Sequence, residues 1–324
     1  MRLTRITAAA VLMLACVGGA SAQAFPNRPI RMVVPFPPGG TVDIVARVVA
    51  QPMSESLNQQ IVVENRAGGS GSIGAGFVSK APPDGYTVLL TASVLLGTPL
   101  LMSSIPYDVQ KDFTPISNLG SVPVMLVVNP NVPVTSFVEF IRFVRANPGK
   151  HAFATSSIGS AGHLASEMIK ADGKLDMLVI GYKGTAPAII DLVGGQVTAM
   201  VDAMPSAYPQ VRSGKLRAIA VGTAKRLPFL QELPTIQESG VAGFERFDMG
   251  SWYGIWGPPG MPKDVVERLS AEAAKAIKSK LAEERLASQS FLPVGSTPAE
   301  FAAYVASETD KYKRIVADAK LKKE

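Results

Sequence analysis

The stretch that decides the fold lies near the N-terminus and reads Pro35-Phe36-Pro37-Pro38-Gly39-Gly40-Thr41-Val42-Asp43. It follows a short apolar run and precedes a segment in which apolar residues recur on one helical face. The sequence therefore predicts a strand, a glycine turn and a helix whose first N–H groups have no partner within the helix. Gly39 and Gly40 let a ligand approach the backbone, Thr41 is suited to cap the helix, and the exposed amides favour an anion. The alternative is a well-capped turn that binds nothing.

A second turn of the same kind lies at residues 156–162, between a predicted strand and a predicted helix. Ser160 is placed to cap that helix, and we expect His163 to support the turn by capping or packing. Ser93, at the end of another predicted strand, is a third candidate contact. If the two turns face each other across a cleft, helix N-termini rather than arginines would hold acidic groups of a ligand.

Two charged residues have open roles. Asp202 ends a strand predicted at residues 197–202, so its carboxylate either accepts a hydrogen bond from a ligand hydroxyl, amino group or water, or caps the following helix. Lys183 either adds a positive charge near the cleft or is solvated.

Along the chain, strand-like and helix-like segments alternate, which indicates parallel sheets with ligands beyond the carboxyl ends of strands. Two half-chains of this kind suggest a two-lobed clamshell.

The first 22 residues have the pattern of a signal peptide. Arg2 and Arg5 precede a short apolar stretch, and Ala20-Ser21-Ala22 forms a small-residue cleavage site. We expect cleavage after Ala22, with Ala24 as the second choice, and export to the periplasm. Lipid attachment at Cys16 is the less favoured alternative, because Met13 stands where a lipid-attachment box has leucine. A chain cut there has no cysteine and therefore no disulfide.

Composition and motifs exclude several functions. The net charge is +6, and loss of two arginines with the signal leaves +4, with basic residues scattered rather than arranged for nucleic acid. Residues 69–74 match G-x-G-x-x-G, but they do not follow their strand directly and lack a ribose-binding acid at the required spacing. No G-x-S-x-G elbow occurs. With two histidines and no mature cysteine, we expect no metal, no cofactor and no catalytic residues.

Several motifs together resemble one family, the extracytoplasmic solute receptors of the tripartite tricarboxylate transporter, also called Bug-type receptors. The resemblance covers essentially the whole mature chain. Besides the opening stretch, the matching segments are Glu64-Asn65-Arg66-Ala67-Gly68-Gly69, Pro83-Asp84-Gly85-Tyr86-Thr87, Pro106-Tyr107-Asp108, Ala146-Asn147-Pro148-Gly149-Lys150, Gly159-Ser160 with His163-Leu164-Ala165, and Tyr182-Lys183-Gly184.

The resemblance implies a type II periplasmic-binding-protein fold, with two α/β lobes joined by two crossing strands and a ligand cleft between them. We expect crossings at residues 122–128 and 251–257, a first lobe of residues 23–125 plus 251–324, and a second lobe of residues 126–250. The residue patterns and the resemblance together give the expected site residues: Phe36, Pro37, Gly39, Gly40, Thr41, Ser93 (from its strand-end position), Ser156, Ser157, Gly159, Ser160 and Asp202. The two turns would hold a carboxylate, partly through ordered water, and Asp202 would reach the far end of the ligand.

The resemblance also implies a function. We expect a non-catalytic, monomeric receptor that captures a di- or tricarboxylate, an acidic amino acid or an aromatic acid and delivers it to a two-component membrane permease. One alternative is the same fold acting as a ligand sensor for a membrane signalling protein. Another is an exported enzyme, which the missing catalytic constellation disfavours.

Overall fold

The computed structural model describes residues 25–287 and 290–323. The predicted signal peptide, its cleavage site after Ala22 and Cys16 lie outside the described residues. Within those ranges, no helix combines the length and apolar character that crossing a membrane requires.

The chain begins with alternating strands and helices, as the sequence predicts. The elements of this part are β1 (Ile30–Val34), α1 (Thr41–Leu57), β2 (Ile61–Asn65), a 3-10 turn at Gly69–Gly71, α2 (Ser72–Val78), β3 (Thr87–Ala92) and α3 (Val94–Leu101). β1 lies between β2 and β3 and pairs with both in parallel. Helix α3 was not predicted, because Gly97 and Pro99 interrupt its pattern.

The middle of the chain begins with one long strand and continues as a second alternating unit. Its elements are β4 (Thr114–Val128), α4 (Phe137–Arg145), β5 (His151–Thr155), α5 (Ala161–Asp172), β6 (Met177–Gly181), α6 (Thr185–Val193), β7 (Ala199–Ala203), α7 (Met204–Arg212) and β8 (Arg217–Val221). β5 lies between β6 and β7 and pairs with both in parallel.

The chain then returns to the first sheet. Its last elements are a 3-10 turn at Gln237–Ser239, β9 (Gly250–Gly257), α8 (Lys263–Ile277), α9 (Lys280–Leu286), β10 (Leu292–Pro293) and α10 (Pro298–Asp318). β9 is antiparallel to both β3 and β4. Helix α10 packs against β4 and α3, and the Trp252 indole donates a buried hydrogen bond of 3.0 Å to the Glu308 carboxylate.

Strand β4 joins the two halves of the molecule. Its residues up to Pro123 pair with β9, whereas Val124 onwards pairs with β7 and, from Met125, also with β8. The second crossing is the entry into β9 at Gly250, where Met249 still bonds to Gly222 of the other half. β4 starts earlier than predicted, because bulges between Pro115 and Ser117 and between Asn118 and Gly120 hide the strand pattern.

We call the half containing β1–β3, α1–α3, β9, β10 and α8–α10 the first lobe, and the half containing β5–β8 and α4–α7 the second lobe. The strand order β2-β1-β3-β9-β4-β7-β5-β6 places β4 between them. Each lobe is an α/β layer structure, and the turns that follow β1 and β5 meet where the lobes face each other. The fold is therefore that of a type II periplasmic-binding protein.

Candidate functional site

The first-lobe turn connects β1 to α1 through two glycines with different conformations. Gly39 adopts a left-handed φ of +86°, which favours glycine, while Gly40 is extended and forms the N-cap of α1 without a side-chain cap. Thr41 is the first helical residue, so its predicted capping role is wrong. Its hydroxyl instead donates to the Ser206 hydroxyl of the second lobe, 2.8 Å away. The helix start is left open on the cleft side.

A buried carboxylate holds this turn in shape. Asp43 accepts hydrogen bonds from the Gly39 N–H at 3.0 Å, the Asn65 amide at 2.9 Å and the Arg47 guanidinium at 3.0 Å. Burial raises the pKa of Asp43, but the hydrogen bonds from Arg47, Gly39 and Asn65 outweigh it and leave the pKa below its ordinary value. The Gly39 amide is therefore used within the turn, and Gly39 does not line the cavity described below.

The second-lobe turn connects β5 to α5 and is held by neutral groups. The Ser160 hydroxyl caps α5 by accepting from the His163 N–H at 3.1 Å, as predicted, and lies 3.2 Å from the Thr155 hydroxyl. His163 Nδ1 accepts from the Gly159 N–H at 3.2 Å, which confirms that this histidine supports the turn. Burial, aided by the nearby Lys170, lowers the pKa of His163 to about 4, so Nδ1 stays unprotonated at neutral pH.

The two turns meet at a cavity of about 50 Å³ between the lobes, larger than the roughly 10–15 Å³ that one water requires. The lining residues are Phe36, Gly40, Thr41, Val42, Ala92, Ser93, Val94, Val124, Ser156, Ser157, Ser160, Ala161, Gly162, Thr185, Asp202, Ala203, Ser251 and Tyr253. Among the predicted site residues, Pro37, Gly39 and Gly159 lie outside this lining. Pro37 packs on Gly184, and Gly159 contacts the backbone of Gly97.

The lining is rich in hydroxyl groups and contains no lysine or arginine. The first residues of α1 and of α5 border the cavity, and the first N–H groups of a helix have no partner within it. The hydroxyl of Ser93 is fully buried at the edge of the cavity and lies beside the buried hydroxyl of Tyr312, with which it can share a hydrogen bond. Lys183 is exposed and does not border the cavity.

Asp202 is the one charged side chain of the lining. It is 5% exposed, and its carboxylate accepts from the Ser206 hydroxyl at 2.6 Å. The helix-cap alternative is wrong, because the N-cap of α7 is Ala203 and no side chain caps that helix. Burial raises the pKa of Asp202 to about 6, although hydrogen bonds from Ser206, the Ala203 backbone and Thr185 oppose the shift. Asp202 is thus a hydrogen-bond acceptor that gains or loses a proton near pH 6.

Three polar lining residues were missed from the sequence. Thr185 begins α6 after the Gly184 turn, so the strand–turn–helix pattern that identified the other two turns also marks this one. Ser251 and Tyr253 are alternate residues of β9 and share one face of that strand, a spacing that points both into the cleft. Burial raises the pKa of Tyr253, so its hydroxyl stays neutral and able to donate.

Metal and nucleotide chemistry find no support in the site. No group of three or more histidine, cysteine or acidic side chains able to hold a metal occurs within residues 25–287 and 290–323. The G-x-G-x-x-G segment forms the 3-10 turn at Gly69–Gly71 and the start of α2, separated from β2 by residues 66–68. Two α/β lobes around a polar cavity, bordered by helix N-termini, instead define a bilobed solute-binding protein of the periplasmic type.

Comparison with known proteins narrows this class to a family. The model of the tripartite tricarboxylate transporter family receptor (TctC) matches residues 45–321. Protein BugT of Bordetella pertussis is 38% identical over 99% of this chain and 100% of that protein. A UPF0065 protein from the tcbD-tcbE intergenic region of Pseudomonas sp. strain P51 is 39% identical over 92% of this chain and 88% of its own length. The chain belongs to the tripartite tricarboxylate transporter receptor family.

Solved structures agree with this assignment. The R. palustris protein Rpa4515 with adipate has a TM-score of 0.89 and 34% identity, covering 93% of this chain and 100% of that one. The periplasmic binding protein BugD gives 0.88 and 35%, with coverage of 93% and 100%. MatC from Rhodopseudomonas palustris with bound malate gives 0.84 and 32%, with coverage of 90% and 100%. The chain is therefore a transporter receptor that binds a solute, and not an enzyme.

Proposed function

We propose that this receptor captures a small organic acid in the periplasm and delivers it to a two-component membrane permease. The acid is a di- or tricarboxylate, an acidic amino acid or an aromatic carboxylate. The receptor acts as a monomer whose mature chain begins at Gln23 or Phe25. We place the lobe boundaries within β4 and at the start of β9, close to the expected positions 125/126 and 250/251, with Val124 and Met125 already pairing with second-lobe strands.

The observation that carries this proposal is the position of two helix N-termini at one cavity. Helices α1 and α5 both direct their partly positive ends at the cavity, and a helix N-terminus carries roughly half an elementary charge. Because no lysine or arginine lines the cavity, an anionic guest would be held by amides and hydroxyls. One carboxylate lies between the turn at Gly40 and Thr41 and the turn at Ser156, Ser157 and Ser160, partly through ordered water.

The end of the ligand opposite this carboxylate lies beside Asp202, the hydrogen-bond acceptor of the cavity. Asp202 accepts a hydrogen bond there from a hydroxyl or amino group of the ligand, or from a bridging water. The hydroxyl of Ser93, which lines the cavity, bonds to the same ligand. Relatives of this chain have been solved with adipate and with malate, which supports a small dicarboxylate as the first class of ligand to examine.

The first test identifies the ligand. Mass spectrometry of the small molecules released from the purified mature protein should detect an organic acid. A thermal-shift screen that includes adipate and malate follows, since a ligand at 100 times its dissociation constant adds about 2.7 kcal/mol of stability. Esterifying the acid should abolish its binding. Stabilisation by neutral or cationic molecules alone would contradict the proposal.

A pair of variants at Gly40 then tests whether the first-lobe turn binds the carboxylate of the ligand. An added Cβ at Gly40 meets Thr185 Cβ at 3.7 Å, an ordinary contact, so Gly40→Ala should fold and serve as the control. Gly40→Val adds further methyl groups beside the helix start and should raise the dissociation constant of the identified acid more than tenfold, about 1.4 kcal/mol. Calorimetry measures both. Wild-type affinity in a folded Gly40→Val protein would show that the glycine turn is only structural.

A further inference from the structure

A second set of contacts between the lobes lies outside the ligand cavity. The Ile158 N–H of the second-lobe turn donates to the Ser70 hydroxyl of the first lobe at 3.0 Å. The Thr98 hydroxyl of the first lobe donates to the Ile158 carbonyl at 3.0 Å. The backbone N–H and C=O of one second-lobe residue, Ile158, are thus both held by first-lobe hydroxyls. Neither Ser70 nor Thr98 lines the cavity.

The backbones of the two lobes touch at the same place. A Cβ added to Gly97 would lie 2.0 Å from the Gly159 carbonyl oxygen, and one added to Gly159 would lie 2.3 Å from the Thr98 nitrogen. Real Cβ atoms do not approach so closely, so glycine at both positions allows this contact. We call Ser70, Gly97 and Thr98 with Ile158 and Gly159 the interlobe clasp.

The backbone conformation of Ser70 indicates that its side chain is required at this position. Ser70 has φ 51° and ψ 37°, in the left-handed region, and lies between Gly69 and Gly71, which also have positive φ. A glycine would adopt this conformation without strain, whereas a residue with a Cβ is disfavoured there. The one non-glycine residue of the loop is the one whose side chain reaches the other lobe. This segment is the G-x-G-x-x-G match that has no nucleotide to bind.

We infer that Ser70 and Thr98 are positioning residues that hold the lobes closed and set the affinity for every ligand by a common factor. The inference rests on the proposed function, in which the lobes close over a ligand. The clasp bonds join different lobes, so they form only when the lobes approach. Because a ligand in the cavity does not touch Ser70 or Thr98, losing a clasp bond weakens the closed state equally for all ligands.

The test compares Ser70→Ala, Ser70→Gly and Thr98→Val. Ser79→Ala is the matched control, since the Ser79 hydroxyl donates to the Gly76 carbonyl within its own lobe. Calorimetry gives the dissociation constants for adipate and malate. Spin labels on cysteines introduced at the exposed residues Lys80 and Lys150 report the distance between the lobes, because Cys16 is the single cysteine of the sequence.

Each clasp variant should lower the ratio of closed to open molecules by roughly three- to tenfold, the effect of one lost hydrogen bond. The dissociation constants of both acids should rise by that same factor, so their ratio stays at the wild-type value. Ser70→Gly should bind as weakly as Ser70→Ala yet unfold at no lower temperature than the wild type without ligand, because it also relieves the left-handed strain.

Unchanged closure and affinity in the clasp variants would overturn the inference. A changed ratio between the two acids would do so as well, since it would mean that these side chains contact the ligand. If neither acid binds the wild type, the proposed function fails for these acids. The spin-label distances then decide on the clasp alone, and a wild type without a closed population contradicts it.

Discussion

The two turns that border the cavity have the same outline but are held by different chemistry. In the first lobe, the turn before α1 has no side-chain cap and is held by the ionised carboxylate of Asp43. In the second lobe, the turn before α5 is held by the Ser160 cap and by the unprotonated imidazole of His163. Each arrangement consumes one glycine amide and leaves the helix start open towards the cavity. The same anion-binding geometry can therefore be built with a charged or with a neutral support, and the two supports should respond differently to acid.

The largest expected effect is the pH dependence of stability. His163 has a pKa lowered from 6.5 to about 4, so its contribution to stability is complete above pH 6.5 and is lost as the pH falls to about 4. Asp202 has a pKa raised from 3.8 to about 6, so its contribution is complete below pH 3.8 and is lost as the pH rises through 6. Each shift of this size corresponds to about 3 kcal/mol.

In the wild type these opposite trends should nearly cancel between pH 4 and 6.5. His163→Gln should unmask Asp202, so that the free energy of unfolding rises as the pH falls. Asp202→Asn should unmask His163 and give the reverse slope. Urea unfolding of the ligand-free proteins across this range measures both slopes. Parallel curves for the two variants would show that His163 and Asp202 do not titrate as described.

The next effect concerns the charged support. Asp43→Ala removes the acceptor for Gly39, Arg47 and Asn65, and hydrogen bonds to charged groups contribute about 1.5–3 kcal/mol each. Because one carboxylate serves all three donors and Arg47 is 54% exposed, we expect a total loss well below the sum of three separate bonds, about 2 kcal/mol, together with weaker ligand binding. Asp43→Asn keeps the shape and part of the bonding and is the control. Urea unfolding measures the stability and calorimetry the affinity. Values for Asp43→Ala equal to those of the wild type would show that Asp43 does not support the turn.

The sequence predicted most of what the turns share and little of what distinguishes them. Glycines followed by an amphipathic helix mark a strand–turn–helix unit, and Ser160 is a recognisable cap because capping depends on local sequence. The bonds of Gly39 to Asp43 and of Gly159 to His163 depend on side-chain directions, which residue spacing does not determine. Both glycines were consequently predicted as ligand contacts, whereas their amides are used inside the turns.

Contacts between residues that are far apart in the chain could not be predicted from the sequence either. Ser206 follows Thr41 by 165 residues in the chain, yet their hydroxyls lie 2.8 Å apart. The hydrogen bond between Ser70 and Ile158 in the interlobe clasp also joins residues that are distant in sequence and lie in different lobes. Such pairs depend on how the two lobes approach, which no local pattern encodes. Ser251 and Tyr253 were detectable in principle, because alternate strand residues share a face.

The smallest expected effect concerns the neutral support. Ser160→Ala removes the cap of α5 and should cost about 1 kcal/mol of stability. Ser160→Asn, which retains a capping oxygen, should recover most of that loss. Gly40→Ala at the equivalent N-cap of α1 should cost less, because no side-chain cap exists there to lose. Thermal unfolding of the three ligand-free proteins compares them, and an equal cost at both caps would contradict the distinction.

We propose that amides of both helix N-termini hold one carboxylate of the ligand without a cationic side chain. Amide NMR of the labelled mature protein, titrated with the acid found to co-purify, tests it most directly. We expect the N–H signals of Thr41 and Val42 in α1 and of Ala161 and Gly162 in α5 to shift together and to saturate at the same ligand concentration. Shifts confined to one lobe, or centred on a lysine such as Lys183, would contradict it.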